Sequence, residues 1–229
     1  MKTYVKALFS STDLLLKVSI FSTLTQEQAG LLGNSVVRKS YKRGDFILEQ
    51  GQKSNTLSIL LRGRARVVMA HSDAREVILA TLQPGDYFGE MSLIDGLAHS
   101  ASVVAEIASQ VLVLERRDFM RCIDSNSDLS LAVMQGLVAR LRIANQKISA
   151  LALTSVDTRV AYALLELAQP DAQGRRIIRE KISRMYIAQM VGASREMVSR
   201  VLKAFEKNGF IHVFEDGSTQ VNERRNVSR

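Results

Sequence analysis

The chain has 229 residues, a net charge of +8 at pH 7, a pI near 9.8 and a single cysteine, Cys122. This length allows two domains with cores of their own, and the positive charge favours a nucleic-acid partner without excluding an anionic membrane. The lone cysteine excludes an intramolecular disulfide and a cysteine-based metal or iron–sulfur site within one chain.

The sequence carries no signal for a metal site, a membrane segment or catalysis. His71, His99 and His212 lie far apart and lack ligand spacing. No apolar run approaches bilayer-spanning length, and the N-terminus lacks the apolar core and cleavage site of a signal peptide. There is no Ser/His/Asp set and no Walker-type glycine loop. We therefore expect a cytoplasmic protein that is not an enzyme, with no metal and no membrane partner.

Residues 1–117 are predicted to form a β domain preceded by short helices. The sequence Thr25-Gln26-Glu27-Gln28 has the pattern of a capping box and predicts a short helix through Leu32. From about residue 36 to residue 114, short apolar runs alternate with glycine-containing turns. This spacing predicts an antiparallel sandwich or barrel, and no alternation of strands and helices supports a Rossmann fold.

The segment at residues 87–101 differs from the rest of this domain. Gly89 allows close approach of the backbone at the start of a short helix, whose free N–H groups could bind an anion. Glu90 could accept hydrogen bonds from sugar hydroxyls, and Ser100 could donate one to a phosphate oxygen. A glycine followed by a helical turn is also common at the corner of a β domain, so the residues alone leave both interpretations open.

Residues 118–153 have helical periodicity and are predicted to form a coiled-coil dimerisation helix. Apolar residues follow one another at spacings of 3, 4, 3, 4 and 3, and polar residues occupy the other face. A parallel homodimer is favoured over packing of this helix on its own domain. The predicted seam consists of Met134, Leu137, Leu141, Ala144, Ile148 and Leu151.

Residues 154–229 are predicted to form a winged helix-turn-helix domain. Within residues 182–211, two short helices are joined by a turn at Gly192, with Ser194 as N-cap and Asn208-Gly209 as the stop of the second helix. Residues 211–214 and 219–221 are strand-like runs around an Asp-Gly turn, which predicts a β-hairpin.

The second of these two helices has unlike faces. Its buried stripe is predicted from the spacing i, i+3, i+4 and i+7 of Val198, Val201, Leu202 and Phe205. Cationic residues cluster on and before its outer face, a pattern that attracts phosphate and suits insertion into a DNA major groove. Those cations are Arg175, Arg176, Arg179, Lys181, Arg184, Arg195, Arg200, Lys203 and Lys207.

The order of these parts resembles the bacterial Crp/Fnr family of transcription regulators, the relatives of the catabolite activator protein. The resemblance spans about residues 20–221 and is most specific at Gly192–Arg200. It implies an α+β chain: an antiparallel β-roll of jelly-roll topology, like a cyclic-nucleotide-binding domain, then a long dimerisation helix and a winged helix-turn-helix. Two-fold symmetry would place two such helices ~34 Å apart on a near-palindromic site in double-stranded DNA.

The resemblance also implies roles for individual residues. The residues expected to contact base edges are Arg195, Glu196, Ser199 and Arg200, and those expected to contact phosphates are Ser194 and Lys203. The residues expected to contact a small anionic effector are Gly89, Glu90, His99, Ser100, Ala101 and Asn145. RNA polymerase is the expected further partner.

The sequence departs from the family pattern in two places that concern the effector. His99 stands where cyclic-AMP-binding members carry an arginine, and Ala144-Asn145 stand where they carry Thr-Ser. A neutral histidine offers one donor where arginine offers a charged fork, and a half-exposed His99 without a ligand is an equal alternative. Cyclic AMP or GMP, another anionic effector such as cyclic di-GMP, and no effector therefore all stay open. In the last case the roll would be a ligand-free dimer scaffold of a constitutive regulator.

Overall fold

The computed structural model describes residues 10–71 and 75–222. Contacts divide the chain into two compact units: the first runs to Arg142, and the second begins at Ile143 and also takes in Glu76–Ile78. The ends of the predicted outer domains, residues 1–9 and 223–229, lie outside the described residues, as does the N-terminus expected to lack a signal peptide. In the described ranges, no helix is both long enough and apolar enough to cross a bilayer.

The first unit contains the predicted antiparallel β-roll. Its helices are α1 (Ser11–Leu15), α2 (Gln26–Ser35), α3 (Glu90–Asp95), α4 (Arg116–Ser125) and the first part of α5 (Ser127–Leu153), with a 3₁₀ turn at Ser19–Phe21. Its strands are β1 (Val37–Tyr41), β2 (Phe46–Leu48), β3 (Thr56–Arg62), β4 (Ala65–Ala70), β5 (Glu76–Leu82), β6 (Tyr87–Phe88), β7 (Ser102–Ala105) and β8 (Ser109–Glu115). They form two sheets, ordered β1-β8-β3-β6 and β2-β7-β4-β5.

The central strands β3 and β8 carry apolar residues on both faces because they lie between two cores. Leu57 and Ile59 of β3 belong to the core under the helices, whereas Leu60 belongs to the core between the sheets. In β8, Leu112 and Val113 divide in the same way. Alternate side chains of a strand point to opposite faces, so a continuous apolar run is what a doubly covered strand requires.

The predicted helix over residues 118–153 is two helices instead of one. The break falls at Asn126, whose side-chain oxygen accepts a hydrogen bond from the backbone N–H of Leu129 at 3.0 Å. Asparagine is a strong N-cap because its side chain satisfies an N–H of the first helical turn, so it ends α4 and starts α5. The predicted capping box is confirmed, since Thr25 and Gln28 bond reciprocally at the start of α2.

The second unit is a winged helix-turn-helix. Its helices are the end of α5, α6 (Val156–Leu167), α7 (Arg184–Val191) and α8 (Arg195–Lys207). Its strands β9 (Gln169–Pro170), β10 (Arg176–Ile178), β11 (Ile211–Val213) and β12 (Thr219–Val221) form one antiparallel sheet in the order β11-β12-β10-β9. Val160, Ile187 and Val198, one from each complete helix, are buried in its core with Ile211 and Val221 of the sheet.

The turn between α7 and α8 follows the local prediction. Gly192 ends α7 with φ of +62°, a left-handed conformation that favours glycine. Ser194 caps α8, because its hydroxyl accepts a hydrogen bond from the N–H of Met197 at 3.2 Å. The helix ends at Lys207, with Asn208 as C-cap and Gly209 at positive φ. The predicted hairpin is confirmed as β11 and β12.

Candidate nucleic-acid interface and effector site

The outer face of α8 exposes the residues predicted to contact bases. Arg195, Glu196 and Arg200 are exposed and Ser199 is half-buried, while Val198 on the inner face is fully buried. In the part of the chain that the structure describes, none of the three charged side chains forms an ion pair. Their charges are therefore available to a ligand, which is how a helix offers polar groups to a DNA groove.

A basic groove adjoins this face at the start of α7. It has a volume of about 390 Å³ and is lined by Lys181, Ser183, Arg184 and Arg195, together with two apolar residues. Lys203, predicted to contact phosphate, is exposed further along α8, and the predicted phosphate contact Ser194 is exposed at its N-cap. Such a surface can hold phosphate oxygens next to the outer face of α8.

Not every arginine of the predicted basic cluster is available. Arg175 pairs with Asp171 at 2.7 Å across the turn between β9 and β10. The wing turn between β11 and β12 is held by Asp216, which accepts hydrogen bonds from the hydroxyl of Ser218 at 2.6 Å and from its N–H at 2.8 Å. These bonds, the one from the hydroxyl first, lower the pKa of Asp216, so it stays ionised at neutral pH.

The proposed effector segment begins at Gly89, where glycine is required. Its φ is +86°, and a Cβ at this position would lie 3.0 Å from the carbonyl oxygen of Thr56 and 3.3 Å from the side chain of Leu48. The backbone therefore passes close to β2 and β3 and turns directly into α3, whose first residue, Glu90, is only 3% exposed. A carboxylate buried to this degree needs a partner.

That partner is Arg140 of α5. Its Nη1 lies 2.6 Å from Oε1 of Glu90, and its Nη2 donates a hydrogen bond to the carbonyl oxygen of Tyr87. The guanidinium carbon stands 4.4 Å from the centroid of the Tyr87 ring, a cation–π geometry. The polar residues of this helix were expected on the face away from the predicted seam, and for Arg140 that expectation is wrong. The available signal was its position on the same face as Leu129, Val133 and Leu137.

His99 lies inside the roll instead of at its surface. It is 6% exposed, its Nδ1 is 2.8 Å from the hydroxyl of Ser92, and its Nε2 is 2.9 Å from the hydroxyl of Ser54. The alternative of a half-exposed loop histidine is therefore wrong. Both ring nitrogens already have partners in this conformation, and burial lowers the pKa of His99, so the ring is neutral at pH 7. A contact of His99 with an effector stays a prediction.

The remaining predicted effector residues have different surroundings. Ser100 is exposed, and Ala101 beside it is half-buried. Asn145 is exposed and belongs to the second unit, whereas the 89–101 segment belongs to the first. Within the described residues, no group of three or more His, Cys, Asp and Glu side chains could hold a metal ion.

The predicted dimer seam divides into two faces. Leu137 packs against the core of its own roll, whereas Met134 and Leu141 are 55% and 60% exposed. Leu131 and Val138, which the predicted seam omits, are about half exposed on the same side of α5. The rest of the predicted seam, listed from the N-terminal end, is exposed as well: Ala144, Ile148 and Leu151.

Two protein-family patterns match this chain. The cyclic nucleotide-binding domain matches residues 38–126, and the Crp-like helix-turn-helix domain matches residues 158–225. These ranges contain the 89–101 segment and the helix pair α7–α8, so the matches fall on the two places where the structure offers a site.

The chain is similar over most of its length to named regulators. It is 35% identical over 177 residues to the cAMP-activated global transcriptional regulator CRP of Salmonella typhimurium, covering 75% of this chain and 83% of the relative. It is 34% identical over 204 residues to the cyclic AMP receptor protein of Thermus thermophilus, covering 89% and 92%.

The fold is also that of a solved regulator structure. The c-di-GMP-responsive global regulator CLP of Xanthomonas campestris matches with a TM-score of 0.74 at 20% identity, over 87% of this chain and 100% of that one. This identity supports the fold alone. Together with the sequence relatives and the exposed, cationic face of α8, these likenesses show that the chain belongs to the Crp/Fnr family of DNA-binding transcription regulators.

Proposed function

We propose that α8 enters the major groove and that Arg195, Glu196, Ser199 and Arg200 contact base edges there, while Ser194 and Lys203 contact phosphates. The observation that carries this proposal is the exposed outer face of α8, where three charged side chains have no ion-pair partner among the described residues. Arginine pairs with guanine O6 and N7, and glutamate accepts from the cytosine amino group.

Single substitutions on α8 test the base contacts. R195A and R200A should each weaken binding to the selected DNA site by about 1–3 kcal/mol and relax preference at individual base positions, because a bidentate contact is lost. The measurement is in vitro site selection followed by affinity titration at fixed salt. R38A is the matched control, since it removes an exposed arginine of β1 in the first unit. Unchanged base preference in both α8 variants would refute this assignment.

We further propose that two copies pair in parallel through α5. Leu131, Met134, Val138 and Leu141 form an exposed apolar stripe on a helix whose opposite side packs on its own roll. A contiguous exposed stripe of this kind marks an interaction surface, and a second identical helix complements its spacing of 3, 4 and 3. The two α8 helices of such a dimer would contact the halves of a near-palindrome.

We also propose that the roll binds a small anionic effector at the 89–101 segment, with Gly89, Glu90, His99, Ser100, Ala101 and Asn145 as contacts. The names of the relatives, one cAMP-activated and one c-di-GMP-responsive, support cyclic AMP, cyclic GMP or cyclic di-GMP as the class of ligand. The second candidate, a ligand-free scaffold, is favoured by a specific observation: Arg140 already pairs with Glu90, and two serines already satisfy His99.

Titration calorimetry with cyclic AMP, cyclic GMP and cyclic di-GMP separates the two candidates. For an effector-gated regulator we expect binding of at least one of them, and loss of that binding in E90A, because Glu90 would no longer accept the sugar hydroxyls. S35A, which removes the hydroxyl of a half-buried serine at the end of α2, serves as the control. If none of the three binds to the wild type, the effector-gated proposal is abandoned in favour of the scaffold.

Three further parts of the proposal follow from its being a transcription regulator. RNA polymerase is the expected partner of the DNA-bound dimer, and in vitro transcription from a selected site would test it. The protein would act in the cytoplasm, and it would have no enzymatic activity of its own. Turnover of any of the three nucleotides by the purified chain would contradict that last part.

A further inference from the structure

Gly136 occupies an unfavourable position for a glycine. It lies in the first half of α5, a helix of 27 residues, where glycine destabilises the helix relative to alanine. A Cβ built at Gly136 would overlap the hydroxyl oxygen of Tyr87. The next nearest atoms of Tyr87 would be Cζ at 3.4 Å and Cε1 at 3.9 Å, which are ordinary contacts. The hydroxyl of Tyr87 alone therefore requires glycine at this position.

Tyr87 is unusual in its own right. The residue is 5% exposed, and its hydroxyl oxygen is buried without a hydrogen-bond partner among the described residues. A buried hydroxyl without a partner is unfavourable for stability. The Tyr87 hydroxyl therefore does not stabilise this conformation through a hydrogen bond. The hydroxyl instead occupies the space that a Cβ of residue 136 would need, while the face of the same ring lies under the guanidinium of Arg140.

Gly136 and Arg140 are four residues apart on α5 and therefore lie on one face, one turn from each other. One tyrosine thus contacts both: its hydroxyl end meets Gly136, and its ring face meets Arg140. Arg140 also donates to the carbonyl oxygen of Tyr87 and to the buried carboxylate of Glu90. Helix α5 at position 136 and the guanidinium of Arg140 therefore both lie against the same side chain.

We propose that Tyr87 and Gly136 act as a positioning pair: their contact sets how closely α5 approaches β6, and thereby holds Arg140 on Glu90. This inference deepens the proposed effector function, since it makes Tyr87 a determinant of how Glu90 is presented to a ligand. Any side chain at position 136 displaces either the helix or the ring. The guanidinium of Arg140 then loses its contact with the Tyr87 ring, and the buried carboxylate of Glu90 loses its ion pair with Arg140.

Four variants test the pair: Y87F, G136A, the double variant Y87F/G136A, and G30A. Y87F removes only the hydroxyl oxygen that the Cβ of the alanine in G136A would overlap. In the double variant this Cβ therefore meets the remaining ring at ordinary contact distance. G30A is the matched control, because Gly30 is also a glycine within a helix, α2, and a Cβ there would meet nothing within 4 Å. It reports the general effect of replacing glycine by alanine in a helix of this domain.

The first readout is calorimetric affinity for cyclic AMP, cyclic GMP and cyclic di-GMP. We expect G136A to weaken the binding of whichever probe the wild type binds by roughly tenfold or more, the loss of one charge-assisted hydrogen bond. G30A should stay near the wild-type affinity. Y87F should weaken binding less than G136A does, because the ring under Arg140 remains, and the double variant should return to the affinity of Y87F. If G136A behaves like G30A, or if Y87F does not rescue G136A, the positioning pair is refuted.

The second readout does not need a ligand. The coupling between Glu90 and Arg140 is obtained from urea unfolding of E90Q, R140Q and both together, in each background. We expect a coupling of roughly tenfold in the unfolding equilibrium constant in the wild type, its loss in G136A and its return in the double variant. If the wild type binds none of the three nucleotides, the effector proposal fails while this cycle still decides the positioning pair. Equal coupling in all backgrounds would overturn it.

Discussion

At position 99 this chain departs from the pattern of the cyclic-AMP-binding members, and the residue concerned is buried. Cyclic-AMP-binding members resemble this chain around residues 89–101 but carry an arginine there, whereas His99 is closed between Ser54 and Ser92. A hydroxyl can donate or accept, so two serines suit either tautomer of a neutral imidazole. The side chain thus joins α3 to the segment before β3 through its two serine partners.

The burial of His99 gives a pH dependence with a defined sign. Burial holds the pKa of His99 below its ordinary value of 6.5, so the unfolded chain takes up the proton more readily than the folded one. The stability that the neutral ring contributes is present above pH 6.5 and is lost as the pH falls towards the folded pKa. Wild type should therefore lose stability relative to H99Q between about pH 7 and about pH 5.

Thermal unfolding midpoints of the two proteins across that range provide the measurement. H212Q controls for the removal of a histidine, since His212 is an exposed residue of β11. If the unfolding midpoints of wild type and H99Q change with pH in the same way, the pKa of His99 does not differ between the folded and the unfolded chain.

The elements of this protein differ in how well they can be predicted from the sequence. The pair α7–α8 is predictable because its signals are local: Ser194 caps one end, Asn208 and Gly209 end the other, and the buried stripe has helical spacing. The partner of Glu90 is not predictable in this way, since Arg140 is fifty residues away and meets it only after α5 packs on the roll. The position of His99 between two serines is non-local in part, since Ser92 is seven residues away but Ser54 is forty-five.

The seam of α5 is a third case, in which the period was predictable but the phase was not. The exposed apolar residues are Leu131, Met134, Val138 and Leu141, at spacings of 3, 4 and 3. The predicted phase instead included Leu137, which the roll already buries in part. Continuing the exposed series by 4 and then 3 reaches Asn145 and Ile148. With Leu131 at an a position, Asn145 also falls at an a position.

A polar residue at one a position lowers the stability of a coiled coil while fixing its register and its two-stranded state. We therefore expect N145V to tighten dimerisation and to admit alternative registers or higher oligomers. Sedimentation equilibrium measures the dimer dissociation constant and the mass distribution. The neighbouring exposed amide Gln146 lies off the stripe, so Q146V is the control. A weaker dimer in N145V, with Q146V unchanged, would place Asn145 outside the seam.

At the scale of the whole molecule, the net charge of +8 affects DNA binding through the positions of the cationic side chains that would contact phosphate. Exposed lysine and arginine side chains line the groove at the start of α7, and Lys203 on α8 extends this basic surface. Binding to duplex DNA should therefore weaken steeply with salt, because each phosphate contact releases counterions. In a two-fold dimer each such residue acts twice.

The salt dependence of K203A tests both the contact and the symmetry. Each phosphate contact contributes about 0.9 to the slope of log binding constant against log salt, so removing Lys203 from both copies should reduce the slope by about 1.8. The measurement is fluorescence anisotropy on a selected duplex over a range of salt concentrations. K39A, an exposed lysine of β1, should leave the slope unchanged. A reduction of only about 0.9 would mean that one copy alone makes this contact, and the two-fold arrangement would then be wrong even though the contact itself is real.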